Sequence, residues 1–245
     1  MKQEIIRSTQ NPIVKFVASL KEKKFREREG LFLVEGRKMV SEGFARGAEI
    51  QTVYATEKFL GVFPEEKTVY VSEEVFRKMS DEVSPEGVLA TLKMPSVSLV
   101  SPTKTCVFLD AVRDPGNMGT IIRTCAACGV TDIYAADSCD PYNPKVIRSS
   151  MSGIYAVRIH RGTREELLSV LKDFPIVVAD MGGKDVFREK ISLPVCLVVG
   201  NEANGVSQCL KNAATQTVAL PMANEMESLN AAVSLSVLLY TLIYR

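Results

Sequence analysis

Three loops of this 245-residue sequence combine glycine or proline with side chains that can carry polar chemistry. They read RDPGNMGTIIR (residues 113–123), GNEANG (200–205) and LPMANEMESLN (220–230). Each loop follows an apolar run and brings an amide, a carboxylate or a guanidinium to a tight turn. Ligands of parallel α/β sheets bind beyond the carboxyl ends of the strands. The three loops together therefore predict one polar site built from several strand ends.

The first loop satisfies neither standard phosphate-binding pattern. It lacks G-x-G-x-x-G, and no G-K-[ST] follows its glycines, which argues against a dinucleotide-dependent oxidoreductase and against a triphosphate site. Asn117 and Arg123 instead lie six residues apart around the start of a helix. Asn117 is also a candidate N-cap for that helix, and Arg123 could pair with Asp110 or Asp114.

The elements that position these loops alternate between strand and helix patterns. Beyond residue 105, apolar runs predict the strands TCVFLDAV, TDIYAAD, YAVRIH, FPIVVAD, PVCLVVG and TQTVALP. Helical patterns separate most of them, at residues 117–128, 144–151, 163–173, 206–213 and 229–244. Nearly continuous apolar strands are typical of a parallel sheet covered on both faces. The predicted fold class is therefore α/β, a parallel sheet with crossover helices.

A smaller α/β region precedes this sheet. It begins with a helix predicted after the Asn11-Pro12 pair and continues with short strands such as LFLVEG and KTVYVS. The Pro- and Ser-rich stretch KMPSVSLVSPTK then indicates a linker. The predicted domains are residues 1–93 and 105–245, joined by a linker at 94–104.

Two segments are locally basic, although the formal net charge is only +1. Residues 1–46 contain eleven Lys or Arg against six Asp or Glu, and residues 141–164 contain five Lys or Arg and no acid. Such surfaces suit phosphate backbones, although an ordinary solvated face is an equal alternative for residues 1–46. His160, the only histidine, lies in the second segment, where we expect it to face RNA or simply to be exposed rather than to act in catalysis. A single histidine excludes a multi-histidine metal site, and we predict no metal.

The cysteines and the two ends of the chain predict a cytoplasmic protein. Six cysteines in a chain of this length do not form a disulfide scaffold. Cys125 and Cys128 form a C-x-x-C in an apolar helix, where buried thiols are expected and a redox pair is the alternative. No signal peptide begins the sequence. The uncharged run 228–244 is short for a membrane span and predicts a helix buried in the core or in a subunit interface.

The three loops, in this order and spacing, resemble the three motifs of the SpoU/TrmH family of RNA ribose 2′-O-methyltransferases, in the SPOUT superfamily. The resemblance extends over residues 105–245 and includes YNPKVIRSSMSGIY (142–155). Residues 1–93 resemble the small substrate-binding domain, similar to ribosomal protein L30e, that many members carry. The clearest match there is EGLFLVEGRKMV (29–40). The resemblance implies a trefoil knot in the larger domain, although knots are rare among folds.

The resemblance also implies the site residues and the methyl donor. The matching catalytic positions, from the first, second and third motifs in turn, are Asn117, Arg123, Glu202, Ser228 and Asn230. The positions implied to hold S-adenosylmethionine, mainly through backbone, are Leu197, Gly200, Leu220, Met222 and Leu229. The second motif usually has glycine where this chain has Ala203. Alanine costs roughly 1 kcal/mol or more if that position needs a positive φ.

Methyl transfer from a sulfonium requires an oxygen nucleophile in line with the leaving group. A ribose 2′-OH is weakly acidic, so the site must remove its proton or stabilise the charge that develops. Arginine is a poor base, since its ordinary pKa exceeds about 12. Arg123 therefore either stabilises the developing alkoxide or acts as a base in a cationic, desolvated site. Its planar guanidinium also suits an adjacent phosphate.

Ribosomal RNA is the expected substrate, and transfer RNA is the alternative. A homodimer is also expected, because residues 231–243 are apolar nearly all round and SPOUT enzymes usually pair near the cofactor loops. A non-catalytic RNA-binding protein of the same fold is the second class of function, although the intact motif residues argue against it. Structural roles remain open for Ser228, as a helix cap, and for Glu202, as a brace of its loop.

Overall fold

The computed structural model describes residues 4–223 and 228–245. It divides into two compact units: unit 1 comprises the residues up to Pro95 together with 142–155, and unit 2 comprises 96–141 and 156–245. The described strands are β1 (Ile5–Ile6), β2 (Leu31–Glu35), β3 (Ile50–Ala55), β4 (Thr68–Val71), β5 (Val88–Lys93), β6 (Cys106–Asp110), β7 (Asp132–Ala136), β8 (Arg158–Gly162), β9 (Ile176–Asp185), β10 (Cys196–Val199) and β11 (Gln216–Ala219). The described α-helices are α1 (Pro12–Ser19), α2 (Lys23–Glu29), α3 (Arg37–Ala45), α4 (Glu73–Met79), α5 (Pro115–Ala127), α6 (Pro144–Ser150), α7 (Arg164–Ser169), α8 (Gln208–Ala213) and α9 (Ala231–Tyr244).

Unit 1 is built on a mixed sheet. Among its described residues, five strands lie in the order β1-β4-β3-β5-β2, with β5 antiparallel to β2 and β3 and the other pairs parallel. The first helix forms as predicted: Pro12 takes its first position, and the Asn11 side chain accepts a hydrogen bond from the Ile13 amide at 2.9 Å. Val17 of α1 and Phe76 of α4 belong to one buried cluster with strand residues of this sheet.

The segment 142–155 belongs to unit 1, although it lies in sequence between β7 and β8. The Tyr142 ring packs 4.9 Å from that of Phe32, and the Tyr155 hydroxyl donates to the Met39 carbonyl at 3.0 Å. The predicted boundary placed this segment with 105–245, because chain order alone does not reveal such contacts. The units of the structure therefore differ from the predicted domains in this segment.

Unit 2 contains the parallel sheet that the apolar runs predicted. In the described part of this unit, six strands lie in the order β11-β9-β10-β6-β7-β8, and every neighbouring pair is parallel. β6 and β7 are buried at every position, which explains their unbroken apolar patterns. The mixed α/β class with a parallel sheet is thus confirmed. Helices α7 and α8 are shorter than the predicted ranges 163–173 and 206–213.

His160 is buried rather than exposed, contrary to the sequence prediction. It is 2% exposed, and its ring stacks on Tyr134 with the centroids 4.6 Å apart. One ring nitrogen lies 2.9 Å from Asp132 and the other lies 3.1 Å from the Ser98 carbonyl oxygen. Burial alone would raise the pKa of Asp132, but hydrogen bonds from Arg158 and His160 outweigh it and lower that pKa to about 2. His160 therefore holds part of the predicted linker to unit 2 instead of facing a ligand.

The sequence raised two questions: whether Cys125 and Cys128 form a redox pair, and whether the apolar run 228–244 could cross a membrane. All six cysteines lie in the described ranges and are free thiols. Cys125 is buried in α5, and burial raises its pKa, so a reactive thiolate is disfavoured and the redox pair gains no support. In residues 4–223 and 228–245, no helix is both long enough and apolar enough to cross a membrane.

Candidate active site at the strand ends

The first loop leaves β6 at a buried carboxylate. Asp110 accepts hydrogen bonds from Arg164 Nε at 2.6 Å and from the Ser207 amide at 2.7 Å. The next residue, Ala111, has a φ of 56°, a left-handed value that is costly for a residue with a Cβ. Its carbonyl accepts a hydrogen bond from the Asn201 side chain at 3.0 Å. These bonds connect the loops that follow β6 and β10 with the start of α7.

Asp114, and not Asn117, caps α5. The Asp114 carboxylate accepts a hydrogen bond from the Asn117 amide at 2.8 Å, and Pro115 takes the first helical position. The capping role considered for Asn117 is therefore corrected, because a carboxylate three residues earlier already satisfies the first turn. This leaves the side chain of Asn117 available for contacts outside its own helix.

Three side chains, one from each loop, form a single hydrogen-bonded group. The Asn117 side-chain nitrogen donates to Glu202 Oε1, and the Asn230 side-chain nitrogen donates to Asn117 Oδ1 at 2.9 Å. Asn230 also caps α9, since its Oδ1 accepts from two amides of the first turn at 2.9 and 3.3 Å. The cap considered at Ser228 is thus provided by Asn230. We call Glu202, Asn117 and Asn230 the polar triad.

The second loop turns back on itself immediately after β10. Asn201 and Gly205 form an isolated β-bridge, and Asn201 Oδ1 accepts hydrogen bonds from the amides of Ala203 and Asn204 at 2.9 and 3.1 Å. A Cβ on Gly200 would overlap the backbone of Gly205. Gly205 has a positive φ of 65°, whereas the φ of Ala203 is not positive. The alanine in this motif therefore avoids the strain considered for it.

A cavity of about 1010 Å³ opens beside the polar triad. Its walls come from the ends of β9, β10 and β11 and from the start of α9. The predicted cofactor positions that line it are Gly200, Leu220, Met222 and Leu229. The predicted catalytic residues that line it are Glu202, Ser228 and Asn230. Residues 224–227 of the third loop lie outside the described part of the chain.

Leu197 is separated from the cavity, unlike the other predicted cofactor positions. It is fully buried within β10 and pairs with Val107 of β6. It is not part of the described cavity wall. The structure therefore gives Leu197 a place in the core beneath the loops and does not support a direct contact with a ligand.

Arg123 does not join the polar triad within this chain. It lies six residues after Asn117 on α5, which places the two side chains about 120° apart around the helix axis and about 9 Å apart along it. Its side chain is exposed and makes no hydrogen bond or ion pair with any described residue. The salt bridge considered for it is not formed, because Arg164 holds Asp110 and because Asp114 caps the helix.

Three charged residues of the cavity wall, Asp180, Asp185 and Lys211, were not predicted from the sequence. Two of them, Asp180 and Lys211, form an ion pair at 2.5 Å. Asp180 ends the predicted strand FPIVVAD, so the rule that ligands meet strand ends could have identified it. Lys211 gave no such signal, because a lysine on a short surface helix is ordinary.

The comparisons with known proteins agree with this architecture. The model of the SpoU rRNA Methylase family matches residues 104–240, and that of the MRM3-like substrate binding domain matches residues 11–90. A Synechocystis protein described as a tRNA/rRNA methyltransferase is 32% identical, over 96% of this chain and 92% of its own length. The 23S rRNA (guanosine(2553)-2′-O)-methyltransferase of Bacillus subtilis is 29% identical over 99% of both chains. The AdoMet-bound rRNA methyltransferase structure from Sinorhizobium meliloti is 28% identical, with a TM-score of 0.89 over 99% of this chain and 98% of that one.

Proposed function

The chain belongs to the SpoU rRNA methylase family, and we propose that it methylates a ribose 2′-oxygen of ribosomal RNA at the strand-end site. The family and the relatives confirm the predicted class, an RNA 2′-O-methyltransferase that uses S-adenosylmethionine. The relatives from B. subtilis and S. meliloti are named for ribosomal RNA, and the Synechocystis relative for transfer or ribosomal RNA. These names support ribosomal RNA over transfer RNA as the substrate.

The observation that carries the proposal is the polar triad at the edge of the cavity. It joins one side chain from each of the three loops, and two of its members, Glu202 and Asn230, also line the cavity. A methyl donor in the cavity and an RNA ribose beside Asn117 would meet at this edge. The role of the triad is then to orient the two reactants, which is the main requirement of a direct transfer.

The cavity suits S-adenosylmethionine. Leu220, Met222 and Leu229 provide apolar wall for a nucleobase, and Gly200 has no side chain that would fill the space between the loops. When bound, the donor supplies an electrophilic methyl group on a sulfonium. The Glu202 carboxylate at the same wall complements that positive charge. We assign Ser228, exposed at the cavity wall, to the same edge.

We assign Arg123 to the RNA side of the site. Its guanidinium is exposed and has no partner among the described residues, so it is available to a phosphate or to the reacting ribose oxygen. A base role would require a desolvated environment, and an exposed side chain does not have one. The arrangement therefore favours stabilisation of the developing alkoxide.

We also propose a homodimer that pairs through an apolar stripe on α9. The stripe consists of Val233, Val237, Tyr240 and Tyr244, which are between 37% and 65% exposed. Their spacing of four, three and four residues is that of a helix–helix seam. The opposite side of α9 is already buried within its own unit, for example at Leu235. A second copy of the chain would remove the stripe from water.

The RNA is proposed to bind unit 1 through α2. Lys23, Lys24 and Arg28 are exposed there, and the cationic ends of Lys24 and Arg28 lie 4.8 and 4.9 Å from the ring centre of Phe25. Phe25 itself is half-buried against the core of unit 1, so the exposed cations beside it are suited to RNA phosphates. Arg26 of the same helix does not serve this role, because it is 1% exposed and its guanidinium donates to the backbone carbonyls of Leu20 and Lys21.

Three finer assignments complete the proposal. Residues 1–93 form an L30e-like substrate-binding domain, residues 94–104 the linker, and residues 105–245 a methyltransferase domain with a trefoil knot, of which the segment 142–155 packs with unit 1. The mixed sheet of unit 1 and the parallel sheet of unit 2 support the two folds, and membership of the family supports the knot. Methylation of ribosomal RNA also supports a cytoplasmic location.

The proposed function is tested by methylation with tritiated S-adenosylmethionine and with ribosomal and transfer RNA as separate substrates. We expect label in ribosomal RNA, at a nucleotide whose 3′ phosphodiester resists alkali, because methylation removes the 2′-hydroxyl nucleophile. Asn117→Ala should lose most of this label. Label only in transfer RNA would contradict the substrate, and label at an alkali-sensitive position would contradict the 2′-oxygen as the acceptor.

A further inference from the structure

The cavity has a wall that the three motifs do not provide, formed by a bulge in β9. β9 pairs with β10 at Ile176, Val177 and Val178 and no further along the strand. Its pairing with β11 moves from Thr217–Val178 directly to Val218–Lys184. The five residues of β9 between these two pairs, 179–183, have no partner on β11 and form the bulge. A Cβ on Gly183 would lie only 2.5 to 2.7 Å from the backbone of Val218, so glycine is required where the bulge rejoins the sheet.

Asp180 is the charged group of this bulge, and its carboxylate is held in one orientation. Its Oδ1 accepts a hydrogen bond from the Gly182 amide at 3.0 Å, and its Oδ2 contacts Lys211 Nζ at 2.5 Å. The pKa of Asp180 is lowered, chiefly by the hydrogen bond from Lys211, so the carboxylate is ionised at neutral pH. Both side chains line the cavity and are 25% and 37% exposed.

The position of Asp180 indicates which part of a methyl donor it would meet. β9 lies two strands away from β6 in the sheet, which separates these two strands by about 10 Å. The loop that follows β6 leads into α5, which carries Asn117. The methyl group must face Asn117 if the proposed function is correct. The nucleoside half of the donor then extends towards β9.

The chemistry at Asp180 favours a hydroxyl over a cation. Lys211 already balances its charge, so the pair attracts an ammonium only weakly. A carboxylate has about four lone-pair positions, and the two contacts to Gly182 and Lys211 leave acceptor capacity for neutral donors. Carboxylates at strand ends recognise ribose hydroxyls in nucleotide-binding sheets.

Resting on the proposed function, we propose that Asp180 accepts a hydrogen bond from a ribose hydroxyl of S-adenosylmethionine and that Lys211 orients it for this contact. Asp180 is then a specificity residue for the nucleoside of the methyl donor. The inference concerns the donor's ribose and not the ribose of the RNA, so the two recognition events can be measured separately.

The test uses S-adenosylhomocysteine, its 2′-deoxy and 3′-deoxy analogues, and calorimetry on the full chain. Asp180→Asn should weaken S-adenosylhomocysteine binding roughly 10- to 100-fold. At least one deoxy analogue should bind the wild type more weakly by a similar factor, with little further loss in the variant. 5′-Methylthioadenosine, which keeps the ribose but lacks the amino-acid group, should lose the same factor on Asp180→Asn.

Asp185→Asn is the matched control, because Asp185 lines the same cavity but pairs with Arg188. It should leave the ratio between the parent ligand and its deoxy analogues unchanged. The ratio within one variant does not depend on how much of that variant is folded. Equal losses for all ligands in Asp180→Asn, or unchanged 5′-methylthioadenosine binding, would overturn the ribose contact. A wild-type chain that binds no S-adenosylhomocysteine would overturn the proposed function itself.

Discussion

The side-chain amide of Asn117 has one orientation in this site. Its nitrogen donates to the carboxylate of Glu202, which only accepts, and its oxygen accepts from Asn230. A reversed amide would bring two oxygens together at Glu202 and two nitrogens together at Asn230. The orientation of the Asn230 amide is set in turn, because its oxygen caps α9. A helix cap thereby determines the polarity of the whole triad.

Substitution of Asn230 separates capping from orientation. Serine is a good N-cap but has no amide N–H for Asn117. We expect Asn230→Ser to keep the free energy of unfolding within about 0.5 kcal/mol of the wild type and to lower the single-turnover methylation rate roughly tenfold. Asn230→Ala should lose about 1 kcal/mol more. Denaturant unfolding and rapid-quench kinetics measure the two effects, and a wild-type rate in Asn230→Ser would exclude the orienting role.

Arg123→Ala tests the charge at the ribose oxygen. Loss of one oriented charge at a developing oxyanion costs on the order of 100- to 1000-fold in rate. We expect that loss in single-turnover methylation, with the melting temperature and the affinity for S-adenosylmethionine unchanged, because Arg123 has no partner among the described residues.

Lys172→Ala is the control for Arg123→Ala, since it removes an exposed cation outside the cavity wall of the same unit. It should methylate at the wild-type rate. If Arg123→Ala also retained the wild-type rate, the catalytic assignment would be rejected. If it no longer bound the cofactor, Arg123 would belong to the cofactor side of the site.

At the scale of elements, the second loop depends on two glycines for different reasons. Gly205 needs its positive φ of 65°, but a Cβ there would meet nothing within 4 Å. At Gly200 the reverse holds: φ is not positive, but a Cβ would overlap the backbone of Gly205 and Val206. Gly200 therefore permits a close approach of two backbone segments, and Gly205 permits a turn.

This difference predicts unequal effects of alanine. Gly205→Ala should cost about 1 kcal/mol of stability through its backbone conformation alone, with cofactor affinity nearly retained. Gly200→Ala must displace the loop, so we expect a loss of about 3 kcal/mol and at least a tenfold weaker affinity for S-adenosylmethionine. Thermal unfolding and calorimetry compare the pair. Similar losses in both variants would mean that the close approach at Gly200 does not position the loop.

At the scale of the whole molecule, the stripe on α9 predicts an association that a charge would prevent. Val237→Asp places a carboxylate within the stripe, where a buried unpaired charge costs about 3 kcal/mol or more. We expect light scattering at micromolar concentration to give a dimer for the wild type and a monomer for this variant. Ala213→Asp, at the exposed end of α8, should remain dimeric. A monomeric wild type would disprove the dimer.

RNA binding by unit 1 is better tested with charge variants than by truncation. Removal of the N-terminal residues would take Phe32 and Met39 from Tyr142 and Tyr155, and so would disturb a segment that the truncated chain retains.

We expect Lys24→Gln to reduce the slope of log affinity against log salt by roughly 0.7 to 0.9, the value for one lost phosphate contact. Lys93→Gln, an exposed lysine on β5, is the matched control and should keep the wild-type slope. Filter binding across a salt series measures both. Identical slopes for the two variants would remove α2 from the RNA surface.

The sequence was sufficient to predict the architecture of unit 2, because strands that are buried on both faces consist mostly of apolar residues. Each predicted apolar run beyond residue 105 became a strand, and the helix boundaries varied by a few residues where caps decided them. Asp114 illustrates this variation: several polar residues near a helix start can cap it, and only the backbone path selects one. The loops at the strand ends were likewise predicted, since chain order in a parallel sheet determines which ends share an edge.

The sequence by itself therefore determined the family, the parallel sheet and the three loops that meet at its edge, because these follow from local pattern and order along the chain. Contacts between residues distant in sequence were decided only by the tertiary structure. It joined Glu202, Asn117 and Asn230 through hydrogen bonds, buried His160 against Asp132, left Leu197 in the core and placed Asp180 in the cavity wall. The physical reason is that burial and hydrogen-bond partners depend on how elements pack, and residue type records only that a polar group needs a partner, not which one it finds.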